Sequence, residues 1–142
     1  MKKILLLAIA LVAALSISSC TKDNPKITNT ITYDGKSYKV DCQAILNPDN
    51  TFDSADIHFL EECSLEEAWG MMWASGRIGS FTLPANESDF LLIKNTFPDY
   101  NVDFKSGKVD IWVDNNNKLC IVADGVLTDG KKFKLSVRSS NE

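Results

Sequence analysis

His58 is the only histidine in the chain, and it stands two residues from Asp56 in Asp56-Ile57-His58-Phe59. On a strand, residues i and i+2 share a face, so Asp56 and His58 project together while Ile57 and Phe59 take the other side. A carboxylate beside an imidazole is the base-and-orienter pair of nucleophilic catalysis. The chain gives that pair no nucleophile in a recognisable setting, since no Gly-x-Ser-x-Gly turn is present. The plainer expectation is a solvent-facing polar pair on a strand, and an enzyme using Asp56 and His58 ranks third among the readings below.

The other reactive residue types point to less chemistry. Asp110, Asp114, Asn115 and Asn116 gather near one turn, but neither a twelve-residue calcium loop nor its closing glutamate is present. Asp and Asn are also ordinary turn formers. Cys42, Cys63 and Cys120 lack a Cys-x-x-Cys or Cys/His spacing that would suit zinc. Gly76-Arg77-Ile78-Gly79-Ser80 lacks the Gly-Lys-Ser/Thr ending of a phosphate loop. No metal and no cofactor is therefore expected. The best binding candidates are large and apolar. Trp69, Met72 and Trp73 cluster together, and Trp112 falls on the outward side of Val109-Asp110-Ile111-Trp112-Val113 if its neighbours face in.

The elements that must position these residues read as antiparallel strands. Asp34-Gly35 and Asp129-Gly130 sit between alternating segments, the strongest short-range hairpin signal. A two-residue turn at the first pairs Tyr33 with Lys36, Ile31 with Tyr38, Asn29 with Val40 and Ile27 with Cys42. At the second it pairs Val126 with Phe133 and Val122 with Val137. That register drives Asp124 against Leu135, so a bulge is expected at Asp124-Gly125. Ser64-Leu65-Glu66-Glu67 fits a helix capping box, and Leu65, Trp69, Met72 and Trp73 follow at helical spacing. The expected fold is all-β: one antiparallel β-sandwich or small barrel of about eight strands, with one short helix near 65–75.

The N-terminus fixes an address. Lys2-Lys3, the apolar run Ile4 to Ile17 and the small residues Ser18-Ser19 have the layout of a secretory signal peptide. The run is too short to be a good membrane-spanning helix, which needs about 20 apolar residues. Ile17-Ser18-Ser19-Cys20 resembles the lipobox of bacterial lipoproteins. That resemblance implies cleavage before Cys20 and multiple acylation of that cysteine, palmitate included. Two or more chains hold a protein stably to a bilayer. The expected organisation is a signal peptide over 1–19, a lipidated cysteine and tether over 20–26, and one β domain over 27–142.

Removing residues 1–19, with Lys2 and Lys3, takes the net charge from −4 to −6. An acidic body whose only arginines are Arg77 and Arg138 argues against nucleic acid, which needs clustered cations. Assigning Cys20 to the lipid leaves three thiols, an odd number, and the sequence does not choose a pair among them. The stretches Phe104 to Val109 and Gly125 to Lys131 resemble the C-terminal hairpins of small Bacteroidetes outer-membrane lipoproteins with lipocalin-like or sandwich folds. Asp53-Ser54-Ala55 resembles the Bacteroidetes O-glycosylation motif, with Ser54 as acceptor. Together these imply a protein of the bacterial cell envelope, anchored by lipid at Cys20. Its expected role is binding or interaction with a protein partner, with a lipocalin-like carrier of a small apolar ligand as the alternative.

Overall fold

The computed structural model describes residues 24–60, 71–94 and 100–140. Within them lie ten strands and no helix. They are β1 (Thr30–Tyr33), β2 (Lys36–Leu46), β3 (Thr51–Phe59), β4 (Met71–Arg77), β5 (Gly79–Leu83), β6 (Phe90–Lys94), β7 (Tyr100–Asn101), β8 (Phe104–Val113), β9 (Leu119–Leu127) and β10 (Lys132–Arg138).

Every pairing is antiparallel, and the order is β5-β8-β9-β10-β1-β2-β3-β4-β6-β7. The eleven residues of β2 serve two neighbours: Lys36–Lys39 pair with β1, and Val40–Leu46 pair with β3. β4 and β5 are separated by Ile78 alone. β4 pairs with β3 while β5 pairs with β8, so the chain itself, through Ile78, links one end of the hydrogen-bonded order to a strand near the other. The sheet is a nearly closed barrel, which leaves few exposed edges.

Alternation decides which side chains fill it. Ile31, Ile57, Met72, Ile121, Leu135 and Val137 are inward residues with no exposed surface. Phe104 and Phe133 meet edge to face with centroids 5.6 Å apart. Gly107 on β8 and Gly125 on β9 face one another beside them. A Cβ on Gly107 would stand 2.3 Å from the Asp124 carbonyl oxygen, and one on Gly125 2.3 Å from that of Ser106. The close approach of these two backbones requires glycine.

The first hairpin has the expected register from Thr30 to Lys39, with Asp34 and Gly35 both at positive φ (49° and 89°), as a type I′ turn demands. The Val40 N–H still donates to the Asn29 carbonyl at 3.1 Å, as expected of facing residues, and Asn29, at φ 56°, then turns the chain aside. Ser140, not Ile27, lies beside Cys42, donating its N–H to the Cys42 carbonyl at 2.8 Å.

The second hairpin corrects the expectation by one residue. Val126 pairs with Lys132 and Val122 with Ser136. The Leu127 N–H bonds the Lys131 carbonyl at 2.9 Å, and the Gly130 N–H bonds the Leu127 carbonyl at 2.8 Å. The turn is therefore three residues long, closed by Gly130 at φ 89°. The extra residue removes any need for a bulge at Asp124-Gly125. Asp124 lies outside, flanked by Lys108 and Lys134, and the inward place falls to Gly125.

The expected helix near 65–75 is also corrected where it is described. Met71–Arg77 is a strand, hydrogen-bonded to β3 and β6. Residues 61–70 lie outside the described residues, and the capping box at Ser64 with them. Partners on both sides of β4 outweigh a local helical spacing.

Candidate functional site

β4 and β6 are apolar on both faces, unlike a strand with one wet side. Their inward residues are Met72, Ala74, Phe90 and Leu92, all buried. Their outward residues include Met71, Trp73, Leu91 and Ile93, all half-buried. The pairing makes these four a continuous surface. Trp73 faces Ile93 across the β4–β6 ladder, and Ser75 faces Leu91. On the β3 side, Asp56 faces Trp73 and His58 faces Met71. An apolar strip thus runs along the outside of the barrel, rimmed by a carboxylate and an imidazole.

Two of the predicted binding residues part company here. Met72 is a core residue with no exposed surface, because adjacent residues of a strand point opposite ways. Trp73 is the outward member. Trp69 and Cys20 lie outside the described residues. Ser54 is half-buried on the outer side of β3, where the β3–β4 register slips between Phe52 and Ala55. Asp56 and His58 share the outer face as expected, and both are exposed. No hydrogen bond or ion pair joins them.

A second surface lies outside β5 and β8. A groove of about 350 Å³ is lined by Asn24, Pro25, Ser80, Lys108, Asp110 and Trp112, among others. Trp112 is half-buried and points outward from β8. The Ser80 hydroxyl donates to Asp110 at 2.6 Å across the β5–β8 pair. The chain before β1 reaches this groove along the outer face of the sheet. The Thr28 N–H donates to the Ser136 hydroxyl of β10 at 3.0 Å, and Asn24 and Pro25 stand at the groove wall. Ser136, Val122 and Cys120 lie on that outer side and are nonetheless buried.

No protein-family model matches the chain, and no curated protein or solved structure matches it.

The charged groups near these surfaces are chiefly structural. Asp114 opens the β8–β9 turn. Its Oδ1 accepts the N–H groups of Asn116 and Lys118, each at 2.9 Å, and its Oδ2 accepts from the Arg138 guanidinium. Burial pushes the Asp114 carboxyl up, but the Lys118 N–H, Arg138 and the Asn116 N–H outweigh it and hold the group below its ordinary range. Among the described residues, no group of three or more His, Cys, Asp or Glu side chains is placed to hold a metal ion.

Cys42 and Cys120 are buried free thiols. Burial, helped by Asp41 and Asp56, pushes Cys42 up to about 12. Burial also pushes Cys120 up to about 11, with Asp114 adding to it. Both are neutral and unreactive at ordinary pH. Lys94, at the end of β6, is the one buried charged side chain among the described residues, and burial lowers its pKa.

The outward strip was only partly visible in the sequence. Trp73 is among the binding candidates the sequence offers, whereas Leu91 and Ile93 are not. The usable signal is Phe90-Leu91-Leu92-Ile93, an unbroken apolar run that leaves neither face of its strand polar.

Proposed function

We propose that this protein is a non-catalytic binding module of the bacterial cell envelope. Cys20 holds it to the outer membrane by lipid, and the strip of Met71, Trp73, Leu91 and Ile93 takes up a protein partner. The observation that carries this reading is the Trp73–Ile93 pair on the outside of a barrel whose inward residues are already packed. Half-buried aromatic and aliphatic side chains in one patch are the usual centre of an interface. The acidic body leaves attachment to the lipid, and it offers no basic stripe to nucleic acid.

The test is site-specific photo-crosslinking in the native membrane. A crosslinker at Ser75, inside the strip, should yield a discrete adduct. One at Ser37, on the outer face of β2, should yield none. Equal adducts from both sites, or none from either, sink the proposal. The anchor is tested separately: Cys20→Ala should abolish acyl labelling and membrane retention.

The carrier reading keeps one observation in its favour, the nearly closed, barrel-like course of the sheet. It predicts an apolar small molecule that co-purifies with the lipidated protein and leaves on solvent extraction. A preparation free of such a molecule counts against it.

A further inference from the structure

We infer that the outer face of β5 and β8 around Trp112 is the side of the barrel turned toward the bilayer, with phospholipid head groups as its occupant. The inference rests on the reading of Cys20 as the lipid-bearing residue. Cys20 stands four residues before Asn24, so even a fully extended link spans only about 14 Å. Asn24 and Pro25 line the groove that Trp112 also lines. The way the barrel hangs from its anchor is thus set by where the strap leaves the sheet. Whatever tilt the barrel adopts, this groove stays within that short reach of the acylated sulfur.

The side chains at the groove suit that place. An indole is favoured at the membrane–water boundary, where its ring is shielded and its N–H stays wet. Lys108 carries an ammonium on a flexible stem that can reach a phosphate. The nearby Asp110 carboxylate is engaged by the Ser80 hydroxyl. On the far side of the circuit, β1 and β2 present Thr32, Ser37 and Lys39, with no aromatic among them. Strand order puts that side about half a turn from β8.

The experiment uses the full-length lipidated protein in phosphatidylethanolamine/phosphatidylglycerol vesicles whose acyl chains are brominated near the head group. Bromine quenches nearby indoles. Trp112→Phe should cut the quenched part of the emission about twofold or more, since Trp112 is the indole held at the interface. Adding Ser37→Trp to Trp112→Phe should add emission that bromine does not quench. Quenching unchanged by Trp112→Phe, or a strongly quenched Trp at position 37, overturns the inference while the protein stays bound. Membrane retention unchanged by Cys20→Ala overturns the anchor reading itself, and with it this orientation. The two failures are therefore told apart by retention.

Discussion

Trp73 on β4 stands directly opposite Ile93 on β6, and both point away from the core that Met72 and Leu92 fill. One strand thus carries two kinds of apolar residue one position apart. Met72 stabilises the barrel, while Trp73 is the side chain the proposed function assigns to a partner. This division makes stability and binding separable by mutation.

Met72→Ala removes a side chain with no exposed surface and should cost about 2–5 kcal/mol in urea unfolding. Trp73→Ser removes an outward cross-strand partner and should cost only about 1 kcal/mol. It should nevertheless abolish the adduct formed from Ser75. A Trp73→Ser variant as unstable as Met72→Ala would mean that the indole belongs to the core.

Gly107 and Gly125 make a sharper stability test. Alanine at either puts a Cβ 2.3 Å from a backbone oxygen of the facing strand. Neither backbone can move without opening the β8–β9 ladder. The loss should reach or exceed the roughly 3 kcal/mol upper end of ordinary overpacking. Gly130→Ala is the control: it meets nothing within 4 Å, and its strain comes only from φ 89°. It should cost about 1–2 kcal/mol. Equal midpoints for Gly107→Ala and Gly130→Ala would contradict the close approach.

Asp114 predicts a particular acid limb. Its folded carboxyl lies below the ordinary range, so the unfolded chain binds the proton first. Stability from this group is fully present above the ordinary value of about 4, and it is lost as pH falls through the lowered one. Asp114→Asn should lower stability by roughly 1–3 kcal/mol at neutral pH. It should also flatten the pH dependence below about pH 4. Parallel pH curves for the two proteins would exclude this role.

The thiols predict slow chemistry. With Cys63→Ser and Cys20 acylated, only Cys42 and Cys120 remain to react. Both are buried with pKa values pushed up, so iodoacetamide at pH 8 should modify neither until denaturant opens the barrel. Rapid labelling of the folded protein would show that one of them is accessible.

How far the sequence reaches can be judged at the two hairpins. Tyr33-Asp34-Gly35-Lys36 fixes its register correctly because the Asp-Gly turn and the alternation of Ile31, Tyr38 and Val40 agree. Asp129-Gly130 does not, because the same dipeptide also closes a three-residue turn with Gly130 left-handed. The clue is Asp124: a two-residue turn drives it into the core unless a bulge intervenes, whereas a three-residue turn leaves it outside opposite Lys134. The all-β fold was legible throughout. At Trp69 to Trp73 a helical spacing and a strand alternation coexist, and only the hydrogen bonds from β3 and β6 decide between them for Met71–Arg77. The candidate site was half legible for the same reason, since Met72 and Trp73 share a face on a helix and oppose one another on a strand.

The pairing of β1 with β10 has a consequence for the order in which the barrel can close. The first described strand finds one of its two neighbours in the last described strand, at Phe133 to Ser136. A nascent or truncated chain lacking them leaves Ile31 open to water and the circuit unclosed. Such a chain presents β1 as an unpaired edge. Closure of the β1–β10 seam therefore waits until β10 has been made.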